Sequence, residues 1–423
     1  MPVKRYDVAS WRAAVGRRQL DLSGLAKERA AVQEIVRRVA AEGDAALREL
    51  EERFDHWKPG RDEGFAVSRA EIDSAPDRLP PGDRAALEFA ASRIRDFHQA
   101  QRYVGSLGTE KLRLLIKPVQ RAGLYVPGGR AAYPSTVLMG VIPARVAGVR
   151  QVVLATPPQP DGSVPLAVLA AAAIVGVDEV YRLGGAQAIA ALAHGTESVP
   201  RVDVVAGPGN VYVTLAKREV FGIVGVDGIA GPTEILVVAD AGAPAAYIAA
   251  DLASQLEHDP MAWAVLVTDS AELADAVERE FGLLLRRLER AEVVAAAHCG
   301  IVVAASIEDA MEVANEFGPE HLELVVEDPE RWISRVENAG AVFAGRFAAV
   351  SLGDYVIGTN HTLPTSGSAR FGSPLGVHTF LKRTSVASLD RDDLELLQEA
   401  ARALARLEGL TAHANAVEVR LGG

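Results

Sequence analysis

From Leu112 onward the chain alternates short β-branched runs with helical stretches, and it does so in two series. The first series runs QVVLAT (151–156), a helix from Pro165, DEVYRL (178–183), a helix from Ala186, VDVVA (202–206) and a helix from Asn210. The second runs ILVVAD (235–240), a helix through His258, WAVLVT (263–268), a helix, IVVAA (301–305), a helix through Phe317 and LELVV (322–326). Strands this uniformly apolar, separated by helices, predict parallel sheets covered on both faces. Two α/β lobes follow, with a pattern suggestive of duplication but no close sequence repeat. The first hundred residues are mainly helical, with SRAE (68–71) as a capping box and Pro81 opening a further helix. The tail from about Asp390 returns to an amphipathic helix, LELLQEAARALARL (394–407).

A length of 423 residues exceeds what one hydrophobic core supports, and 49% hydrophobic residues can fill two. The formal charge of −12 disfavours nucleic acid and anionic membranes as partners, because both attract a basic field. The longest apolar run, AVLAAAAIVGV (167–177), is too short to cross a bilayer, and MPVKRYD (1–7) lacks the apolar core of a secretory signal. A cytoplasmic chain is expected. The single cysteine, Cys299, excludes an internal disulfide framework and is read as a buried structural thiol.

Chemistry concentrates in segments that pair carboxylates or amides with imidazoles. GDYVIGTNHTLPT (353–365) holds Asp354 and His361 and is too rich in Gly, Asn, Thr and Pro for a helix, so it reads as a ligand-holding loop. DLASQLEHDP (251–260) sets Gln255 and His258 three apart in a helical stretch, on one face. FGPEHL (317–322) puts Glu320 beside His321 in a turn between helix and strand, and EGLTAH (408–413) brings Glu408 and His413 near the C-terminus. Spacing alone leaves open a Gln–His pair that only bonds nearby backbone, and a Glu that only caps its turn. No GxGxxG occurs; three other glycine-bearing strand ends are LYVPGGR (124–130), GGAQAIA (184–190) and GPGNVYV (207–213), and the latter two open helices.

Together with AGPTE (230–234), these segments resemble the signature segments of the histidinol dehydrogenase family, in its order and spacing from about residue 123 to His413. The resemblance implies two incomplete Rossmann-like α/β/α lobes with small helical N- and C-terminal segments. The expected division is an N-terminal segment 1–25, a first lobe from 26–122 and 235–375 carrying metal and acid/base residues, an NAD-binding lobe 123–234, and a C-terminal helical segment 376–423. It implies one Zn²⁺ per subunit on Gln255, His258, Asp354 and His413, a mixed N/O set that Mn²⁺ or Co²⁺ would also suit. It further implies NAD on Tyr125, Gln187 and Asn210. Substrate contacts are implied for Thr233, His361 and Glu408 besides His321 and the metal ligands. Thr233 stands where the family typically has Ser.

In that frame the substrate is L-histidinol, taken through L-histidinaldehyde to L-histidine by two NAD, in a homodimer whose C-terminal segment crosses into the partner's site. Removing a hydroxyl proton as hydride leaves needs a base of near-neutral pKa, which points to His321. Adding water to the aldehyde needs a partly buried carboxylate, which points to Glu320. A related zinc dehydrogenase of another small polar alcohol, and a zinc hydrolase using Glu320, are the alternatives.

Overall fold

Strand Glu234–Ala239 is buried along its whole length, and its alternation explains the layering. Ile235, Val237 and Ala239 enter one core with Leu252 and Phe281, while Leu236 and Val238 enter another with Met311, Phe317 and Trp332. A strand apolar on both faces needs helices on both sides. The computed structural model describes every residue except 1–2, 17, 21, 61–63, 103–104, 129–131 and 423. Among the described residues one sheet runs Lys4–Asp7, His298–Val303, Trp263–Thr268, Glu234–Ala239, His321–Val325, Ala341–Ala344, all parallel. The other runs Glu179–Arg182, Gln151–Thr156, Arg121–Tyr125, Val204–Ala206, Gly225–Val226, also parallel. With Lys4–Asp7 set aside, both sheets have the strand order 3-2-1-4-5.

Local chemistry delimits the helices. Ser68 accepts from Glu71 N–H at 3.2 Å, Ser270 from Leu273 N–H at 3.1 Å and Ser306 from Asp309 N–H at 3.1 Å, each satisfying a first-turn donor. Gly318, at φ +65°, ends helix Ile307–Phe317 in the left-handed conformation. No described helix is long and apolar enough to cross a membrane.

The structure corrects the ends of the expected layout. Residues 1–25 are not a separate segment, because Lys4–Asp7 pairs with His298–Val303 as an edge strand. Arg121 and Ala122 open the strand Arg121–Tyr125 of the second sheet rather than closing the first lobe. The stretch 376–423 is not wholly helical, since strand Leu381–Ala387 lies antiparallel to Leu112–Pro118, which in turn pairs with Gly105–Gly108. That strand is largely exposed, so it carries no apolar alternation to reveal it.

The chain divides into two compact units, Met1–Arg102 with Val119–Phe380, and Tyr103–Pro118 with Leu381–Gly423. The first holds both parallel sheets. The second holds the small antiparallel sheet and the helices Arg391–Leu407 and Thr411–Leu421, joined by an Arg402–Glu418 ion pair at 2.6 Å. Lys111 bonds Asp390 at 2.8 Å and Asp393 at 2.6 Å, tying the sheet to the start of the first of these helices.

Candidate active site

A cleft of about 1970 Å³ in the larger unit is bordered by opposite edges of the two sheets. From the second sheet comes the carboxyl edge, where Gly207 to Asn210 follow strand Val204–Ala206. From the first comes the amino edge, where Thr233 precedes one strand, and Glu320 precedes and His321 begins its neighbour. Ligands of parallel sheets ordinarily bind at carboxyl edges. At that end of the first sheet the Asp240 carboxylate accepts from Glu327 N–H at 2.6 Å and Gly242 N–H at 2.9 Å, and the cleft does not reach it.

His321 is 4% exposed, and its Nδ1 lies 3.1 Å from the Glu234 carbonyl oxygen. A carbonyl only accepts, so Nδ1 carries the proton in the neutral ring and Nε2 is left with a free lone pair. Burial lowers the His321 pKa, while Asp354 and the Glu234 carbonyl act to raise it. The ring is therefore neutral at physiological pH and basic at Nε2. Its neighbour Glu320 accepts at Oε2 from Thr233 Oγ1 at 2.5 Å and from Glu234 N–H at 3.0 Å. Burial pushes the Glu320 carboxyl up to about 8 against those two bonds, with Asp354 adding to the rise. A group titrating so near working pH can both take and return a proton. Thr233 also accepts from Gln255 Nε2, so its hydroxyl links Gln255 to Glu320. That bond leaves the carbonyl oxygen as the atom Gln255 can present to a cation.

Asp354 departs from its expected setting. It sits on a short helix, Val350–Tyr355, and the loop begins only at Val356. Gly353 belongs to that helix because a Cβ there would lie 2.4 Å from the Phe343 ring, so close packing rather than turn formation requires glycine. His258 likewise lies beyond its helix, which ends at Leu256; Pro260 follows, and His258 N–H still reaches Gln255 O at 3.4 Å. The Asp354 carboxylate makes no hydrogen bond or ion pair among the described residues. Burial raises its pKa, offset by His321 and His258. A half-buried carboxylate in that condition suits a cation. His361 donates Nδ1–H to the Asp354 carbonyl at 3.0 Å and presents Nε2 to Thr136 Oγ1 at 3.3 Å, and burial pushes it down to about 4. It is a neutral ring that braces the Asp354 backbone.

The donors in this cleft fit a zinc ion in kind but not in number. Gln255, His258 and Asp354 supply an amide oxygen, an imidazole and a carboxylate, where a tetrahedral centre needs four donors. No group of three or more His, Cys, Asp or Glu side chains suited to a metal comes together among the described residues. His413 and Glu408 belong to the smaller unit and are exposed, His413 in the first turn of Thr411–Leu421 and Glu408 capping Arg391–Leu407.

The glycine-bearing turns differ from one another. Gly207 has φ +117°, and a Cβ there would sit 2.2 Å from the Tyr125 carbonyl oxygen, so this crossing admits only glycine. Its N–H donates to Asp227 Oδ2 at 2.8 Å and its carbonyl accepts from the buried Lys217 ammonium at 3.0 Å. Asn210 lines the cleft and caps helix Val211–Val220 through Oδ1, leaving its Nδ2 as the donor available to a ligand. The positive end of that helix and the open glycine turn fit a pyrophosphate. Tyr125 and Gln187 are buried instead. Tyr125 Oη accepts from Gly185 N–H at 3.0 Å, and Gln187 Nε2 donates to Glu51 at 3.0 Å and Asp55 at 3.3 Å. Gly129 and Arg130 of the first turn lie outside the described residues.

Glu234 ends the segment AGPTE without a role assigned to it there, yet it orients both acid/base groups through its own backbone. Its carboxylate accepts from Ser366 N–H and pairs with Arg18 Nε at 3.3 Å; burial pushes it up to about 7, with Arg18 opposing. The signal available in sequence was a carboxylate opening an otherwise apolar strand.

With this geometry in place, comparison with known proteins is specific. The family model described as histidinol dehydrogenase matches residues 19–421. A curated histidinol dehydrogenase of Synechococcus sp. is 49% identical over 401 residues, covering 92% of each chain. That of Lactiplantibacillus plantarum is 46% identical over 427 residues, covering 99% of each. The crystal structure of histidinol dehydrogenase from Elizabethkingia anophelis superposes with a TM-score of 0.90 at 33% identity, covering 99% of this chain and 98% of that one.

Proposed function

This chain belongs to the histidinol dehydrogenase family, and from that premise we propose how its residues carry out the oxidation of L-histidinol through L-histidinaldehyde to L-histidine. The family depends on zinc and NAD and acts at the last step of histidine biosynthesis. When bound, zinc would orient the substrate and NAD would take up the hydride of each half-reaction. Gln255, His258 and Asp354 would hold the metal, and the Gly207 turn with Asn210 would receive the dinucleotide. Tyr125 and Gln187 support that end of the sheet from within.

The observation that carries the reading is the bare Nε2 of His321, fixed by the Nδ1–H bond to Glu234. In the first half-reaction Nε2 takes the proton of the substrate hydroxyl. In the second, Glu320 takes a proton from the water that adds to the aldehyde carbon while Nε2 returns its proton to the aldehyde oxygen, and the freed Nε2 then takes a hydroxyl proton of the hydrate as the second hydride leaves. Thr233 holds the Glu320 carboxyl in place by the bond to Oε2. His361 keeps Asp354 in position, and Glu408 accepts a hydrogen bond from the substrate imidazole.

Complete conversion of limiting histidinol is expected to yield about two NADH per molecule, because one site runs both oxidations. Glu320→Gln keeps an acceptor oxygen for Thr233 but loses the base, so oxidation of histidinaldehyde should slow far more than oxidation of histidinol. Stopped-flow NADH formation from each substrate separates the two; an unchanged aldehyde rate in the variant would remove Glu320 from the water-adding step.

The fourth metal donor, in this reading, is His413 of the partner subunit. Three donors in the cleft, an exposed His413 in a separate unit, and Leu396 and Leu407 standing 82% and 83% exposed on helix Arg391–Leu407 all support a homodimer with shared sites. A mixed dimer of His258→Ala and His413→Ala chains then contains one doubly defective and one sound site. Random reassociation makes about half the dimers mixed, so co-refolding should recover about a quarter of wild-type activity. If His413 served its own chain, the mixture would stay inactive. Cytoplasmic residence, without a nucleic-acid or membrane partner, belongs to the same reading.

A further inference from the structure

We propose that the Asp251–Glu323 carboxyl pair is a positioning device that clamps the helix carrying Asp354 against the helix that carries Gln255 and leads into His258. The proposal rests on the reading that these three residues hold zinc. Glu323 lies on strand His321–Val325, two residues beyond His321, and is 2% exposed. Its Oε1 accepts at 3.1 Å from the N–H of Val350, the first residue of the helix that bears Asp354 one turn later. Its Oε2 is buried and meets no N–H or O–H donor among the described residues, and the side chain that Glu323 faces there is the Asp251 carboxyl group. Two carboxyl groups can bond only through a proton that one of them carries.

Asp251 stands one turn before Gln255 on helix Ala245–Leu256, so both side chains leave the same face. One proton and one backbone bond thus join a helix, a strand and a second helix, each contributing to the site. Burial raises the pKa of both carboxyls, Asp251 to about 6 and Glu323 well above the usual carboxylate range, which keeps the linking proton in place. Neither carboxyl is itself placed among the metal donors. Groups that hold ligands from behind commonly govern metal affinity as strongly as they govern packing.

The test is zinc affinity of the dimeric holoenzyme, measured by chelator competition, with the visible spectrum of the Co²⁺-substituted protein as a second readout. Glu323→Gln keeps an acceptor for Val350 and an N–H for Asp251, so affinity within about twofold of wild type and an unchanged cobalt spectrum are expected. Glu323→Leu removes both bonds and should weaken zinc binding about 10- to 100-fold with altered cobalt bands. Asp251→Ala should act in the same direction, and it decides the matter if Glu323→Leu does not fold. Asp354→Ala serves as the control for the ligand assignment. If that variant keeps zinc at wild-type affinity, the assignment fails and the clamp with it. If it loses zinc while Asp251→Ala and Glu323→Leu bind normally, the assignment stands and the clamp alone is overturned. A loss in Glu323→Gln as large as in Glu323→Leu would overturn the shared proton.

Discussion

Stripping the protein of metal with a strong chelator is expected to abolish histidinol oxidation, and stoichiometric Zn²⁺ to restore it. The donor set argues for an effect this large. The Asp354 carboxylate has no hydrogen-bond or ion-pair partner among the described residues, Gln255 keeps only its carbonyl oxygen for a ligand, and His258 is exposed at the cleft. None of the three has another role that would orient a substrate once the ion is gone. Metal affinity should also fall as pH drops, because imidazole and carboxylate donors must be deprotonated to bind. NADH formation before and after chelation, with metal content measured in parallel, checks this. Full turnover in protein shown to be metal-free would refute the zinc dependence of this site.

His321→Asn is expected to reduce turnover of both histidinol and histidinaldehyde by about a hundredfold or more, the usual loss when a general base is removed. Asparagine can still donate an N–H to the Glu234 carbonyl, so the strand start and the Glu320 bonds to Thr233 and Glu234 should persist. What disappears is the lone pair at Nε2. The loss should therefore appear in kcat, with KM for histidinol much less affected, and the thermal midpoint should stay near that of the wild type. A kcat within tenfold of wild type would assign the proton to another group.

Much of this protein is written locally in its residues. The strand runs, the serine caps, the glycine at 318 and the Glu320–His321 adjacency depend on neighbours a few positions away, and such short-range chemistry is legible in sequence. The α/β class and the two lobes follow from it. The short helix at Val350–Tyr355 was not legible, because Gly353 reads as a loop former until Phe343 is seen against it. Strand Leu381–Ala387 was hidden for the opposite reason, as an exposed strand with no apolar face to announce it.

Residue types and spacing determined which side chains could do chemistry, and the resemblance to a family supplied their roles. Only the tertiary structure decided that the amino edge of one sheet meets the carboxyl edge of the other across a single cleft, since strand order does not specify which ends of two sheets face each other. It also decided the protonation state on which the chemistry turns. The tautomer of His321 depends on a carbonyl 87 residues away in sequence, and the Glu320 carboxyl depends on Thr233 at the same distance. The bond that fixes the helix of Asp354 joins Glu323 to Val350, and no local pattern encodes it. Hydrogen bonds and desolvation act through space, so the pKa of a buried group is a property of the packed fold and not of its segment.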